Sequence, residues 1–412
     1  MAYELADELF LWWLGEPERP APVGTLRYAH SIAGVSLQYE PSWVANGFPL
    51  SEDLPLAPEE KFPQIRETAV GAIDDARPDR WGERVIRFID KPPRLSILEF
   101  LYFAGDERFG ALGVSTVAEI YQPKQSTPLP RLSDVEEICE VVRKVEANDP
   151  VPEDKRRLIA PGTTLGGARP KALVEIDGLP WVVKFAETGE ATDAPLIEHA
   201  TLTLAEKAGM RVARTRALPL SRGHAVAVLR FDRAVIGGKV RRIHAQSANV
   251  ALRAEGSEPG YPELAQLLRR RARVETGGAK AFMRELFRRM VFNIWMDNTD
   301  DHEKNHVLLM DDAQYLSLAP AFDVLPTGQG LGYQQMRVGE RAGDSTIENA
   351  LSEVAQFGMT RDQAIAEVQA VARVCATWKT HFVAKGVEKR DIESLERFID
   401  RGILAAQRDA YL

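Results

Sequence analysis

The chain has 412 residues, more than one ordinary hydrophobic core accommodates, so two or three domains are expected. Its hydrophobic fraction of 45% and charged fraction of 27% are average for folded proteins, which argues against disorder and fibrous repeats. A formal net charge of -8 argues against a protein whose main task is to coat nucleic acid.

Cysteine usage fits a reducing compartment, and the apolar runs bear on membrane insertion. Cys139 and Cys375 are the only cysteines and lie far apart in the sequence, so neither a disulfide framework nor a thiolate zinc cluster is predicted. No uninterrupted apolar run approaches the roughly 18 to 20 residues that a membrane-spanning helix needs. We therefore expect a cytoplasmic protein with no membrane partner.

Residues 1 to 125 are predicted to form an α+β subdomain. Three short runs rich in β-formers are separated by turns that contain glycine and proline, and they predict strands at 10–14, 25–28 and 35–39. Helical patterning follows at 80–89 and 95–103. A polar, proline-containing stretch at 122–130 predicts a linker into the next domain.

Residues 126 to 245 are predicted to form a second α+β domain. Strand-like runs at 173–176 and 181–185 flank Asp177-Gly178, and this pattern predicts a hairpin. An amphipathic helix is expected over 194–209, and a further strand over 225–231.

Residues 246 to 412 are predicted to form a helical domain. Helical periodicity covers 261–273 and 279–295, and Thr360 to Gln363 has the sequence of a capping box before another helix. Between these helices, the runs 307–310 and 315–318 predict a short hairpin.

Three polar side chains of this helical domain have the pattern of a phosphoryl-transfer site. Asp300 and Asn305 show the D-x-x-x-x-N spacing of a kinase catalytic loop, in which the Asp is the base and the Asn binds metal. Asp323 lies eighteen residues after Asn305, beyond the predicted hairpin. The hairpin would return the chain so that Asp323 faces Asn305 across one ion.

The middle domain supplies candidate phosphate contacts. Gly166 and Gly167 lie in a loop before the first hairpin strand, and adjacent glycines allow a close backbone approach to an anion. Lys184 lies in the second hairpin strand and matches the strand lysine of kinases. Glu198 opens the following helix and is the candidate partner of Lys184.

In their order along the chain, these motifs resemble those of HipA-like kinases. The resemblance covers essentially the whole chain and rests on the loop 165–171, Lys184, the segment 229–233, the loop 300–305 and Phe322-Asp323. It implies an α+β, two-lobed kinase-like fold with an N-terminal α+β subdomain and an all-helical C-terminal lobe.

The resemblance also implies a role for individual residues. Asp300 would be the catalytic base, Asn305 and Asp323 would be Mg²⁺ ligands, and Thr164 matches a loop serine that such kinases autophosphorylate. The implied ATP-binding positions, in chain order, are Gly166, Gly167, Ala168, Arg169, Pro170, Lys171, Lys184, Leu229, Arg230, Phe231, His302, Glu303, Lys304 and Phe322.

At the level of function, the resemblance implies an ATP- and Mg²⁺-dependent Ser/Thr protein kinase that acts as a toxin. Its protein substrate would be a translation component such as an aminoacyl-tRNA synthetase. The implied partner is a small helix-turn-helix antitoxin, so that the kinase would contact DNA only indirectly, through the antitoxin.

Two other functions remain open from the residues alone. The segment 302–306 matches H-E-x-x-H, a zinc-hydrolase signature that requires one continuous helix, whereas residues 298–301 predict a helix break before it. The arginine run 269–273 would suit a catalytically weak binding protein in an antitoxin–DNA repressor complex, although such a run is typically a solvated helix face.

Overall fold

The computed structural model describes residues 6–124, 128–159, 167–274 and 278–412, and the chain forms two compact units. The first unit consists of Met1–Thr188 and Leu229–Gln246, and the second of Gly189–Val228 and Ser247–Leu412. Each unit therefore combines two separate stretches of chain. The predicted α+β class and two-lobed organisation are confirmed, whereas the division near residues 125 and 245 stays a prediction.

An antiparallel sheet organises the N-terminal part of the first unit. Its strands are β1 (Glu8–Trp13), β2 (Ala21–Ala29), β3 (Gly34–Tyr39) and β4 (Leu112–Ser115), in the spatial order β3-β2-β1-β4. Alternate residues of a strand point to opposite faces, and Leu9 and Leu11 of β1 are accordingly buried in the core below the sheet. The three strands expected before residue 40 are present.

This part of the chain also forms three short helices, namely α1 (Pro41–Asn46), α2 (Arg80–Val85) and α3 (Ile97–Phe103). Residues of α1 and α3 belong to the core of the sheet. Asp79 caps α2, because its side chain accepts a hydrogen bond from the backbone N–H of Gly82 at 2.7 Å. The helix predicted over 80–89 continues beyond α2 as a π-helical turn, Ile86–Asp90, which ends where Lys91 adopts φ +49°.

The rest of this stretch contains α4 (Val135–Ala147) and the hairpin of β5 (Lys171–Ile176) and β6 (Leu179–Lys184). Asp177 and Gly178 have φ of +54° and +74°, as a two-residue turn between twisted strands requires. The predicted hairpin is therefore present. Lys171 pairs with Lys184 in its register, so both lysines lie at the same end.

The chain then contributes α5 (Ala194–Lys207) and the hairpin of β7 (Thr215–Pro219) and β8 (His224–Leu229). It continues with a second hairpin, β9 (Arg233–Ile236) and β10 (Lys239–Arg242), and with β11 (His244–Ser247). Asp193 caps α5 by accepting the backbone N–H of Leu196 at 3.3 Å, which explains why this helix begins there.

Helices make up most of the remaining chain: α6 (Ala248–Ala254), α7 (Tyr261–Arg271), α8 (Gly278–Trp295), α9 (Ile347–Ala350), α10 (Arg361–Cys375), α11 (Trp378–Ala384), α12 (Lys389–Ile399) and α13 (Gly402–Asp409). The capping box predicted at Thr360 and Gln363 is present at the start of α10. The hairpin predicted after α8 is formed by β12 (Val307–Met310) and β13 (Leu316–Leu318).

Each helix in the described ranges is too short or too polar to span a lipid bilayer.

Candidate active site

The candidate catalytic loop leaves the end of α8 and leads directly into β12. Asp297 turns the backbone with φ +52°, and a single 3-10 turn, Glu303–Asn305, follows. His302 caps this turn, since its Nδ1 accepts the backbone N–H of Lys304 at 3.2 Å. As a result, the Asp300 side chain is exposed while those of Asp301 and Asn305 are buried.

Asn305 has an amide oxygen that lacks a hydrogen-bond donor within the part of the chain that the structure describes. Its Oδ1 atom is buried and finds no partner among the described residues, and its Nδ2 donates to the carbonyl oxygen of Asp300 over a long 3.4 Å. A buried acceptor without a donor is costly, so such an atom is expected where a ligand or ion completes the site. Oxygen atoms of this kind suit Mg²⁺, and Asn305 thus fits a metal-ligand role.

Asp323 lies at the same end of the β12–β13 hairpin as Asn305. Beyond the paired strands, the backbone N–H of Ala319 donates to the carbonyl oxygen of Val307 at 2.8 Å, so the two chain segments remain together. Ala321 is held by a parallel bridge to Val212. Asp323 itself has φ +57°, a left-handed conformation that is uncommon outside glycine and clusters at functional sites.

Asp301 belongs to a buried polar cluster behind the loop. Its Oδ2 atom accepts hydrogen bonds from His306 Nε2, at 2.8 Å, and from the hydroxyl of Tyr261. Burial by itself raises the pKa of Asp301, but the charge and hydrogen bond of His306, with that of Tyr261, outweigh it and leave the pKa below its usual range. Burial also raises the pKa of Tyr261 well above its usual value, so Tyr261 stays a hydrogen-bond donor.

This cluster was not predicted. Tyr261 lies 40 residues before Asp301, at the start of α7, and neither the spacing nor the composition of the sequence connects the two. The H-E-x-x-H pattern did draw attention to His306, but for a metal-binding role rather than for a bond to Asp301.

In the first unit, Lys171 is turned into the protein. Its Nζ donates to Asp79 Oδ2 at 2.5 Å and to the carbonyl oxygen of Gly167 at 3.1 Å, and its side chain is fully buried. Burial raises the pKa of Asp79, an effect that the Lys171 charge opposes. Lys171 therefore holds Gly167, which has φ +89°, in place at the edge of the candidate nucleotide loop.

The other positions of this loop are only partly described. Gly166 and Thr164 lie outside the described residues. Ala168 is exposed, and Pro170 accepts the backbone N–H of Phe185 at 2.9 Å, which joins the loop to the residue after Lys184. The nucleotide role of 166–171, with Arg169 included, stays a prediction.

The candidate hinge, Leu229–Phe231, is anchored by a buried charge cluster in the first unit. Arg230 donates to Asp232 through Nε at 3.0 Å and through Nη2 at 2.7 Å, and Asp232 also accepts the backbone N–H of Gly110 at 2.8 Å. Burial would raise the pKa of Asp232, but Arg230 and Arg233 lower it to about 2. The Arg230 guanidinium is thus engaged, and a nucleotide contact by Arg230 would use its backbone.

The structure gives a position for each of the remaining predicted site residues in one of the two units. Lys184 is buried in the first unit, whereas Glu198 is buried on α5 of the second unit, and their pairing stays a prediction. Phe322 is buried next to Asp323, and Glu303 and Lys304 form the 3-10 turn of the loop.

Neither alternative function gains support from the local structure. His302 precedes a 3-10 turn and His306 has an extended backbone, so the H-E-x-x-H residues do not share the continuous helix that a zinc hydrolase requires. Arginines of α7 and α8 are paired with carboxylates of the same unit, namely Arg270 with Glu255 and both Arg284 and Arg288 with Glu367. Within the run 269–273, Arg273 is paired as well, with Asp311.

The fold and the order of its loops define a two-lobed α+β protein of the kinase-like class. A family model described as the HipA-like C-terminal domain matches residues 163–378, and one described as the HipA N-terminal domain matches residues 19–115. The chain belongs to the HipA-like family.

Individual relatives agree with this assignment. A putative kinase, Y4dM, of Sinorhizobium fredii is 29% identical over 159 residues, which make up 36% of this chain. The match spans only 37% of that relative's length.

Solved structures resemble the fold. A chain of the Shewanella oneidensis MR-1 HipA, HipB and operator DNA complex matches 98% of this chain and 97% of its own length, with a TM-score of 0.67 and 18% identity. The Helicobacter pylori proinflammatory kinase CtkA matches 60% of this chain and 91% of its own length, with a TM-score of 0.43 and 13% identity.

Proposed function

We propose that this chain is an ATP- and Mg²⁺-dependent protein kinase that phosphorylates Ser or Thr hydroxyl groups. Membership of the HipA-like family and the similarity to a putative kinase support the class of reaction. The observation that carries the proposal is the buried Oδ1 atom of Asn305, which finds no hydrogen-bond donor in the described parts of the chain and lies on the loop that presents Asp300 to solvent.

Asp300 is the proposed base, and its exposure supports this role. Because the Asp300 side chain is exposed, a hydroxyl of a second protein can reach it, whereas the carboxylate of the adjacent Asp301 is buried and already bonded. The substrate oxygen attacks the γ-phosphorus, the bond from that phosphorus to the β–γ bridging oxygen breaks, and ADP leaves. Asp300 receives the hydroxyl proton.

Asn305 and Asp323 are the proposed metal ligands. An amide oxygen and a carboxylate make an all-oxygen donor set, as Mg²⁺ prefers, and both residues lie at the same end of the β12–β13 hairpin. When bound, Mg²⁺ supplies positive charge against the phosphate oxygens. The left-handed backbone of Asp323 is the kind of conformation that a chain retains where it orients a functional group.

The first unit is proposed to bind the nucleotide. Gly167, Ala168 and Arg169 would contact the phosphates through backbone N–H groups, and Pro170 and Lys171 would hold this loop beside them. Lys184 would contact the phosphates through its ammonium group, and Leu229–Phe231 would lie against adenine. Glu198 is proposed as the partner that orients Lys184, and Thr164 as the site of autophosphorylation.

The biological role we propose is that of a cytoplasmic toxin. Its substrate would be a translation component such as an aminoacyl-tRNA synthetase, and a small helix-turn-helix antitoxin would bind the kinase. The matching Shewanella chain comes from a complex with HipB and operator DNA, which supports an antitoxin partner and an indirect link to DNA.

Phosphotransfer from labelled ATP to proteins of a cell extract tests the activity. We expect the full chain with Mg²⁺ to label one or a few protein bands, and we expect both Asp300→Asn and Asp323→Asn to abolish labelling while circular dichroism stays unchanged. Asp312→Asn is the matched control, because Asp312 is an exposed aspartate in the turn between β12 and β13. Full labelling by Asp300→Asn would remove the assignment of the base.

A separate measurement distinguishes a kinase from a repressor subunit. If the wild-type chain transfers no phosphate but shifts operator DNA together with a co-purified helix-turn-helix partner, the non-catalytic function replaces the proposed one.

A further inference from the structure

The candidate catalytic loop has two sides with different chemistry. Asp300 is exposed, while the next residue, Asp301, is 2% exposed and points into the second unit. Asp301 lies between the proposed base and the proposed metal ligand Asn305, four residues further along. Contacts that hold the Asp301 carboxylate therefore also hold the loop backbone that carries Asp300 and Asn305.

Two side chains hold Asp301 from different directions. His306 comes from the other end of the same loop, where it adjoins β12, and its Nε2 atom lies 2.8 Å from Asp301 Oδ2. Tyr261 comes from the first turn of α7 and donates its hydroxyl to the same oxygen. The loop is thus closed on itself by His306 and connected to a separate helix by Tyr261.

The partners of Asp301 are rigid because they are buried and packed. Tyr261 is fully buried, and its ring meets that of His306 edge to face with centroids 5.4 Å apart. The Tyr261 hydroxyl also accepts Asn293 Nδ2 of α8 at 3.4 Å, and Asn293 Oδ1 in turn accepts Asn298 Nδ2 at 3.1 Å. These hydrogen bonds connect Tyr261 to Asn298, which lies at the beginning of the loop.

We propose that Tyr261, Asp301 and His306, here named the loop anchor, are positioning residues that hold Asp300 and Asn305 in the geometry for phosphoryl transfer. This inference rests on the proposed kinase function. The loop anchor touches neither substrate nor nucleotide in this scheme. It acts by limiting the motion of the loop. The side chains of Asp300 and Asn305 must both be in place when the phosphoryl group is transferred, and a small displacement of either one lowers the rate strongly.

Tyr261→Phe is the most specific test, because it removes one hydroxyl and keeps the ring that packs against His306. We expect kcat for labelled phosphotransfer by the full chain to fall by about 10- to 100-fold, while the Kd for ATP changes by less than about threefold. Tyr315→Phe is the matched control, since Tyr315 is a partly exposed tyrosine of the same unit, and it should keep wild-type kcat. A wild-type kcat in Tyr261→Phe overturns the proposal.

His306 offers a rescue experiment that separates positioning from packing. His306→Gln keeps an N–H donor for Asp301, whereas His306→Leu keeps apolar volume and removes the donor. We expect the glutamine variant to retain at least about tenfold more activity than the leucine variant. Equal activity of the two would mean that His306 acts by packing alone, which contradicts the loop anchor.

Hydrogen exchange tests the loop anchor without relying on turnover. In Tyr261→Phe, we expect backbone amides of residues 300–306 to exchange about tenfold faster, while the amides of α10 keep their wild-type rates. If the loop amides exchange faster in Tyr261→Phe but the wild-type protein transfers no phosphate, the loop anchor holds the loop and the kinase function is rejected. Unchanged exchange in the loop would reject the loop anchor, whatever the activity.

Discussion

Arg401 forms an ion pair with Asp297, a fully buried carboxylate that lies three residues before Asp300. Asp297 Oδ2 accepts a second bond from the backbone N–H of Gly330 at 3.1 Å. Arg401, the residue immediately before α13, therefore contacts the beginning of the candidate catalytic loop. The loop depends on a residue that lies 104 positions away in the sequence.

Arg401→Met should destabilise the protein, because it leaves the Asp297 carboxylate buried without its cation. Removing one partner of such a pair costs about 3 to 5 kcal/mol, and we expect a loss of about 3 kcal/mol because Arg401 keeps some exposure. Urea denaturation of the full chain measures the change. The double variant Asp297→Asn/Arg401→Met should be more stable than Arg401→Met, since its buried charge is gone.

Lys389→Met is the control for this experiment. The Lys389 side chain is 90% exposed and pairs with Glu393 at the surface, so its loss should change the unfolding free energy by less than about 0.5 kcal/mol. If Arg401→Met were equally mild, the ion pair with Asp297 would contribute nothing measurable.

Thr327 links the two segments that carry the proposed metal ligands. Its Oγ1 atom donates to the carbonyl oxygen of Asp297 at 2.8 Å and lies 2.7 Å from Thr299 Oγ1. Because Thr327 follows Asp323 by four residues, Thr327→Val should loosen Asp323 relative to the loop of Asn305. We expect kcat to fall about tenfold and the Mg²⁺ requirement to rise, as a Mg²⁺ titration of phosphotransfer would measure.

The control for Thr327→Val is Thr377→Val. Thr377 belongs to the same unit, and its hydroxyl makes a local bond, to the carbonyl oxygen of Val374 at 2.7 Å. Identical Mg²⁺ titrations for the wild type and Thr327→Val would argue against a link between the two segments.

Asn305→Ala should separate activity from stability. The Asn305 side chain makes one long hydrogen bond, and its Oδ1 atom finds no donor among the described residues, so alanine should lower the unfolding free energy by less than about 1 kcal/mol. Phosphotransfer should nevertheless fall at least about 100-fold, because a metal ligand is lost. Asn305→Asp keeps a ligand oxygen and should recover part of the activity at higher Mg²⁺. A large loss of stability without a change in Mg²⁺ dependence would mean that Asn305 is structural.

Local features of this molecule could be predicted because their causes are local. The turn at Asp177-Gly178, the hairpin after Asn305 and the capping box at Thr360 each depend on a few neighbouring residues, and all three are present. The role of Asp300 as the base, inferred from spacing, stays a prediction. The side-chain contacts that hold the candidate catalytic loop in place could not be predicted in the same way.

Contacts that depend on distant chain segments could not be predicted. Asp301 with Tyr261 and Asp297 with Arg401 join segments 40 and 104 residues apart, and no periodicity encodes such pairs. The discontinuous units have the same origin, because the chain leaves the first unit after Thr188 and returns to it at Leu229. The π-helical turn Ile86–Asp90 likewise departs from the single helix that periodicity indicated.

His244 should make stability depend on pH. It is 2% exposed, its Nε2 atom lies 2.8 Å from the carbonyl oxygen of Leu50, and burial lowers its pKa to about 4 although that hydrogen bond raises it. In the unfolded chain, histidine titrates near pH 6.5, so between about pH 6.5 and 4 the unfolded state binds a proton that the folded state does not. The unfolding free energy should therefore fall as pH falls through this window, by up to about 1.4 kcal/mol per pH unit from this group.

His244→Gln removes the titrating ring and keeps an N–H donor for Leu50. Urea denaturation at pH 7, 6 and 5 should show a shallower fall in unfolding free energy for this variant than for the wild type. Burial makes protonation of His244 costly in the folded protein. If the unfolding free energy fell with pH equally for the wild type and His244→Gln, His244 would have to be solvated in the folded state.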